Sequence, residues 1–377
     1  MERKAALSQV RRLVVKIGTR MLAKRDEPVN LAFLENLAGQ LARLRERDIQ
    51  TVLVVSGAVT LGRRALGLQG RTEQVSLRQA AAAVGQPQMM HLYMEALAAQ
   101  SQQAAQILLT ADDMADRSRY LRIRNTLEAL LEEGVVPILN ENDSVSVEGV
   151  TFGENDRLAA IVAAKLHADA LIFLSDQAGL LTADPREHPD AELISLVHLG
   201  DEVSQYGAGA GGEESTGGMT KKLAAAQMAI DCGIPVVMAD GSEDQVLLRI
   251  LGGEPLGTFF LPGERVGGRK LWIATAREPA GRLVVDEGAS RALTSPDGAS
   301  LLPIGVVEVE GDFEIGDVVE VLNPLRHALA RGLTNYSADE LRRIKRLHSR
   351  EAPRLLGRPA AAEVIHRDNM VVSPDSH

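Results

Sequence analysis

Five short apolar runs constrain what this chain can fold into. LVVKI (13–17), TVLVV (51–55), VVPIL (135–139), ALIFL (170–174) and PVVM (235–238) punctuate the first 240 residues, with longer amphipathic stretches such as LAFLENLAGQLARLRER between them. Strand and helix patterns in alternation predict a mostly parallel sheet with helices on both faces, an α/β three-layer sandwich. Each run ends in small or polar residues: Gly-Thr, Ser-Gly-Ala, Asn-Glu-Asn-Asp, Ser-Asp-Gln-Ala-Gly and Ala-Asp-Gly. In open α/β sheets the ligand crevice lies outside the carboxyl ends of the strands, so these ends predict a site there.

At 377 residues the chain is long enough for two domains. Only 3% of it is aromatic, so aliphatic side chains must fill the core, as they do in parallel sheets. No stretch approaches the roughly 18 apolar residues of a membrane span, and the start has no signal-peptide pattern. The single cysteine, Cys232, excludes an intramolecular disulfide and a cysteine zinc cluster and points to the cytoplasm. A net charge of −10 argues against nucleic-acid binding by bulk charge. After about residue 262 the pattern changes. PGERVGGRK reads as a linker, and short β-branched runs with frequent glycines follow. The expected division is a first domain over 1–262, a linker over 263–279, a small mostly-β domain over 280–360, and an extension with little core over 361–377.

Several segments carry candidate chemistry. The chain has no Gly-Lys dipeptide and so no Walker A loop, while the G-x-G-x-x-G at Gly207, Gly209 and Gly212 lacks a preceding strand. STGGMTKK (215–222) turns into an amphipathic helix with Lys221 and Lys222 expected in its first turn, where a cation opposes the helix dipole. Either both side chains are solvated, or glycine-freed N–H groups and lysine hold an anion such as phosphate. Lys16 lies within an apolar strand. On an edge strand it would snorkel to water; in a central strand it would project at the crevice and need an anionic partner. Glu141, Asp143, Glu148, Glu154 and Asp156 fall within 16 positions after the VVPIL run. Such residues serve as turns and caps, Asp156 for the helix that follows, or they meet a cation: Mg²⁺, lysine or a substrate ammonium. Asp176 adds a carboxylate at the next strand end.

LVVKIGT, VVSGAVTLGR, AAAVGQPQMM, NTLEALLEEGVVPILNENDSV, FGENDRLAA, SDQAGLLTADP and STGGMTKK occur in the order seen in the glutamate 5-kinases of the amino-acid kinase superfamily. The second region, with VDEGA, SLLPIGV, GDFEIGDVV, ARGLTNYS and VIHRDNM, resembles the PUA module attached to bacterial members. The resemblance runs from about residue 11 to 371.

It implies the amino-acid kinase fold followed by a PUA domain, and ATP-dependent phosphorylation of the L-glutamate side-chain carboxylate, with Mg²⁺ carried by the nucleotide rather than by a protein metal site. By match with the family motifs, Lys16 and Lys222 would flank the transferring phosphoryl group and Asp156 would orient them. Ser56, Asp143 and Asn155 would hold glutamate. Lys16, Ser175, Asp176 and the loop Thr216, Gly217, Gly218, Met219, Thr220, Lys221 and Lys222 would hold ATP. Proline as feedback inhibitor and a homo-oligomer are further implications. Two positions depart from the family: Glu154 precedes Asn155-Asp156 where Asp is usual, and Lys221 precedes Lys222 where Thr is usual, which removes a hydroxyl beside the phosphate loop. The alternatives are another kinase of the superfamily, acting on aspartate, acetylglutamate or a nucleoside monophosphate, and an RNA-binding role for the PUA region. Residues 277–377 hold 13 Lys plus Arg against 16 Asp plus Glu, which does not favour a phosphate-binding surface. The cluster Arg342, Arg343, Lys345 and Arg346 reads as a solvated helix face.

Overall fold

The structure is a computed structural model that describes residues 2–23, 29–68, 74–145, 155–183, 188, 190–198, 216–262, 279–295, 298–357 and 361–372. The chain divides into two compact units, Met1–Arg265 and Val266–His377.

The first unit is built on eight strands: β1 (Arg12–Ile17), β2 (Gln50–Val55), β3 (Ala104–Leu109), β4 (Val136–Glu141), β5 (Ala170–Ser175), β6 (Leu196–Val197), β7 (Val236–Asp240) and β8 (Thr258–Phe260). They form one sheet in the order β3-β4-β2-β1-β5-β7-β8-β6. The described pairings are parallel except β7 with β8. Every residue of β4 and β5 is buried, as expected of parallel strands covered on both faces. Among the described residues the helices that accompany the sheet are α1 (Glu2–Leu7), α2 (Thr19–Leu22), α3 (Leu31–Arg45), α4 (Ala58–Ala65), α5 (Val75–Ala98), α6 (Ala111–Ala115), α7 (Arg117–Glu132), α8 (Asn155–Lys165), α9 (Thr216–Asp231) and α10 (Val246–Leu251). Helix α3 shows why the chain folds this way locally. Asn30 caps it by accepting from the Phe33 amide at 3.1 Å, and Phe33, Leu34, Leu37, Leu41 and Leu44 make one buried stripe. That stripe joins Leu13, Val15, Ile17, Leu53, Val55, Ile172 and Leu174 from alternate positions of the strands. Val14 and Lys16 therefore point to the opposite face, where α8 packs against β1.

Three sequence expectations change here. β4 continues through Asn140 and Glu141, which pair with Leu108 and Leu109 of β3, so half of the Asn-Glu-Asn-Asp segment is strand rather than turn. β3 itself, an edge strand with only Leu109 fully buried, has too weak an apolar signal to stand out. Helix α9 begins at Thr216, which puts Lys221 and Lys222 in its second turn and not its first. The dipole cost falls off within the first turn, so the unfavourable position inferred from sequence does not arise.

The second unit contains β9 (Gly281–Val285), β10 (Val306–Gly311), β11 (Val318–Leu322), β12 (Ala328–Leu333) and β13 (Met370–Val372), in the order β10-β9-β11-β12-β13. The helices α11 (Glu287–Thr294), α12 (Ala338–Ile344) and α13 (Ala352–Leu356) accompany it. Residues 361–372, read from sequence as an extension with little core, belong to this core. Val364, Ile365 and Met370 are buried in it, and β13 pairs antiparallel with β12. The apolar residues are too thinly spaced, among Glu363, His366, Arg367 and Asp368, to register as a strand pattern.

Candidate active site

A cavity of about 530 Å³ opens at the carboxyl ends of β1, β2, β4 and β5. Its walls come from segments far apart in sequence: Gly18 to Met21 after β1, Ser56 to Thr60 after β2, Asn140, Glu141 and Asp143 at the end of β4, and Asn155-Asp156 opening α8. Ser175 to Gln177 after β5, Gly218, Met219 and Lys222 of α9, and Arg78 of α5 complete it.

β1 is central, between β2 and β5, so Lys16 projects at the crevice rather than snorkelling from an edge. Its Nζ lies 2.7 Å from Asp156 Oδ1, with the two side chains 8% and 2% exposed. Asp156 occupies the first turn of α8, where the helix dipole favours an anion. The contact is an ion pair without hydrogen-bond angles, and Asp156 Oδ1 has no hydrogen-bond partner among the described residues. Removing one member of such a buried pair leaves an uncompensated charge, at a cost of about 3–5 kcal/mol.

Asn155 sits at a junction of two strand ends, those of β2 and β4. Its amide nitrogen donates to Val55 O at 2.9 Å, Ser56 Oγ at 2.9 Å and Asn140 Oδ1 at 2.7 Å. The Asn155 Oδ1 accepts from the Glu141 amide at 3.3 Å. Asn140 in turn donates to Gln86 Oε1 of α5 at 2.8 Å. Amides satisfied on all sides inside a protein rigidify what they join, and here they tie Ser56 and α8 to one frame. Ser56 is followed by Gly57 at φ 134°, a conformation that side-chain-bearing residues rarely adopt, so glycine there lets the chain turn into α4.

Asp143 is 19% exposed in its side chain, and Arg78 Nη2 lies 4.0 Å from its Oδ1. Burial raises its carboxyl pKa above the ordinary value, and the Arg78 charge works in the opposite direction. Asp176 is held by Arg20, Nη1 to Oδ2 at 3.1 Å. Each of these three carboxylates therefore faces a cation. Among the described residues no group of three His, Cys, Asp or Glu side chains could hold a metal ion.

Of the residues singled out from sequence, Lys16, Ser56, Asp143, Asn155, Asp156, Ser175, Asp176, Gly218, Met219 and Lys222 line this one cavity. Gly218, Met219 and Lys222 do so together because positions 218 and 222 lie one turn apart on α9. Thr220 and Lys221 are exposed and are not part of the lining. The side chains of Thr216 and Gly217, and residues Glu148, Glu154, Gly207, Gly209 and Gly212, lie outside the described residues. Sequence reasoning missed Asn140, Gln86, Arg20 and Arg78. Asn140 was legible as the first polar residue after VVPIL. Gln86, Arg20 and Arg78 lie on helices with no local signal.

The amino acid kinase family model matches residues 11–240, and that of the PUA domain matches residues 281–356. A glutamate 5-kinase of Geobacter sulfurreducens is 44% identical over 372 residues, spanning 98% of this chain and 100% of the relative. A glutamate 5-kinase of Deinococcus radiodurans is 46% identical over 363 residues, spanning 96% and 99%. One of Trichlorobacter lovleyi is 43% identical over 376 residues, spanning 99% and 100%.

Proposed function

Because the chain belongs to the amino acid kinase family, and within it to the glutamate 5-kinases, we propose that it transfers the terminal phosphoryl group of ATP to the side-chain carboxylate of L-glutamate, giving L-glutamyl 5-phosphate, the first step of proline biosynthesis. The observation that carries the assignment of roles is one cavity lined by both Lys16 and Lys222, with Lys16 fixed at 2.7 Å by buried Asp156.

The acceptor carboxylate has an ordinary pKa near ~4.3 and is already ionised at pH 7, so no general base is required. Among the described residues no histidine lines the cavity. A carboxylate oxygen attacks the γ-phosphorus as the bond to the β,γ-bridging oxygen breaks, and ADP leaves with that electron pair. The obstacle is repulsion between two anions, worth about 4 kcal/mol per unit-charge pair at 4 Å in a medium of effective dielectric ~20. Catalysis then consists of alignment and charge neutralisation. Lys16 and Lys222 supply cations at the transferring group, and Asp156 keeps Lys16 oriented. Ser175, Asp176 and the segment Thr216 to Lys222 hold the nucleotide, through the first-turn N–H groups of α9 and the Lys222 side chain, while Thr220 and Lys221 stand off the cavity wall. Ser56, Asp143 and Asn155 hold the acceptor, Asp143 through the ammonium group. Mg²⁺ carried with the nucleotide would supply further positive charge at the phosphates.

No helix among the described residues is long and apolar enough to cross a membrane, and a cytoplasmic location is part of the same reading. Proline inhibition, a homo-oligomer and a role for RNA are separate questions that the resemblance raises.

The test is a glutamate- and Mg²⁺-dependent ATPase assay that traps the acyl phosphate with hydroxylamine, run with aspartate, acetylglutamate and nucleoside monophosphates as rival acceptors and repeated with L-proline. Lys222→Ala is the cleaner variant, because Lys16→Ala strands a buried carboxylate. Turnover should fall by at least about 10²-fold in a folded Lys222→Ala protein, the scale for losing one preorganised electrostatic donor. Near-normal turnover would refute the assignment.

A further inference from the structure

One part of the acceptor has no partner in the assignment above. At pH 7 an α-amino acid with a reacting side-chain carboxylate also carries an α-carboxylate and an α-ammonium group. Lys16 and Lys222 are engaged with the phosphoryl end, and Asp143 is suited to the ammonium. The α-carboxylate still needs positive charge, because a carboxylate taken from water without a partner is costly.

Arg78 meets that need. It rises from the first turn of α5 and lines the same cavity as Asp143. Its only charged partner among the described residues is Asp143 at 4.0 Å, the outer edge of an ion pair, and its side chain is 59% exposed. A guanidinium so placed has donors to spare, and its planar fork matches a carboxylate in two parallel hydrogen bonds. A second feature points the same way. Gly57, the residue before helix α4, has no side chain, and no side-chain hydrogen bond caps the helix. Gly57, Ala58, Val59 and Thr60 line the cavity, so the unpaired first-turn N–H groups and the positive end of the dipole belong to the same wall. The acceptor end of the cavity thus has an anion-seeking pole, Arg78 with the α4 amino end, beside a cation-seeking pole, Asp143.

We propose that Arg78 binds the α-carboxylate of the acceptor and so makes the site selective for α-amino acids over simple ω-carboxylates. This rests on the glutamate 5-kinase reading. 4-Aminobutyrate is the discriminating probe: it keeps the reacting carboxylate and the amine of glutamate and lacks only the α-carboxylate. Hydroxamate formation is measured for the wild type, Arg78→Ala and Arg78→Lys with L-glutamate and with 4-aminobutyrate. The wild type should favour glutamate in kcat/KM by at least about 10²-fold, since a site built to pair a polar group rejects the analogue that lacks it. In Arg78→Ala the KM for glutamate should rise by about 10²-fold, the scale of a charge-assisted hydrogen bond. The KM for ATP should stay within threefold, and the preference over 4-aminobutyrate should collapse to within tenfold. Arg78→Lys should recover part of the preference. An Arg78→Ala protein with an unchanged KM for glutamate overturns the proposal, and so does one that loses activity equally with both acceptors. A wild-type protein that forms no glutamyl hydroxamate overturns the glutamate 5-kinase reading first, and this one with it.

Discussion

Asp143 shows how a residue proposed to bind substrate costs stability at the level of a single side chain. Its carboxylate is largely buried, its pKa is raised by that burial, and Arg78 at 4.0 Å compensates only in part. A raised pKa means that the folded state is penalised for keeping the group ionised. That penalty is fully present above the folded pKa and vanishes below the unfolded value of ~3.9, where both states hold the proton. Asp143→Asn should therefore melt at a higher temperature than the wild type at pH 7, with the gain fading as the pH falls through the acid range. The same variant should raise the KM for glutamate by about 10²-fold and leave that for ATP nearly unchanged, because it removes the charge proposed to face the substrate ammonium. Thermal melts at several pH values together with glutamate and ATP titrations read both effects; equal effects on the two KM values would count against the role. Such opposition between stability and function is ordinary at binding sites. It also separates the legible residues from the others. Lys16 was visible because an ammonium inside LVVKI needs a reason, and the carboxylates because they crowd after a buried strand. Arg78 and Gln86 look like any other polar residues of a long helix, and only the packing of α5 brings Arg78 to the cavity wall and Gln86 to Asn140 behind it.

Among the elements, α8 was read correctly as a helix, yet its burial exceeds what its pattern suggested. Leu158 to Ala164 are all buried, and so is its last residue, Lys165. Lys165 Nζ donates to Met114 O at 3.1 Å and lies 4.0 Å from the centroid of the Tyr120 ring, while the Tyr120 hydroxyl donates back to Lys165 O at 3.1 Å. Burial lowers its pKa to about 8, against an ordinary value of ~10.4. Between those two values the unfolded chain holds more protons than the folded one, so folding stability rises with pH across that window; below it the penalty is fully present. Lys165→Met removes the titration. Relative to the variant, the wild type should gain up to about 3 kcal/mol from pH 7 to pH 10, measured by urea unfolding, and parallel pH profiles would sink the idea. Two other helices are locked by glycine. A Cβ on Gly62 of α4 would lie 1.7 Å from Ala81 O, and one on Gly85 of α5 would lie 1.8 Å from Ala58 O. Gly85→Ala must therefore push α4 away, carrying Ser56 and Gly57 with it. The expected loss is about 1–3 kcal/mol of stability, together with a raised KM for glutamate, both checked on one purified variant. Neither glycine could be assigned this role from sequence, because close approach of two helices is a tertiary fact. The strands tell the same story: β1, β2, β4, β5 and β7 are apolar runs that anyone can read, whereas β3 and β8 depend on the neighbour that hydrogen-bonds to them.

At the scale of the whole molecule, the described residues of each unit bury a core of their own, one against the eight-stranded sheet and one against the five-stranded sheet. The second is the smaller, and its PUA match ends at residue 356, although its structure does not. Beyond that point Val364 donates to Leu301 O at 2.7 Å, the Leu301 amide donates to Ile365 O at 2.9 Å, and the Asn335 amide donates to Val364 O at 2.8 Å. The Tyr336 hydroxyl donates to Ala361 O, and Met370 to Val372 close the edge of the sheet beside β12. Val364, Ile365 and Met370 are buried at 0%, 0% and 4% exposure, and each such side chain is worth about 1.5–3 kcal/mol. Their sum is comparable with the whole stability of a small domain, ~5–15 kcal/mol. A chain truncated after residue 360 should therefore lose the folded second unit, although only its last 17 residues are gone. Calorimetry of the full-length and truncated proteins reads this directly: the heat absorbed by the second unit should disappear from the trace. Met370→Ala in the full-length chain should weaken the same unit by about 2–5 kcal/mol, the range for emptying a buried methionine site. Unaltered unfolding of the truncated protein would mean that 361–372 only decorates the core it touches.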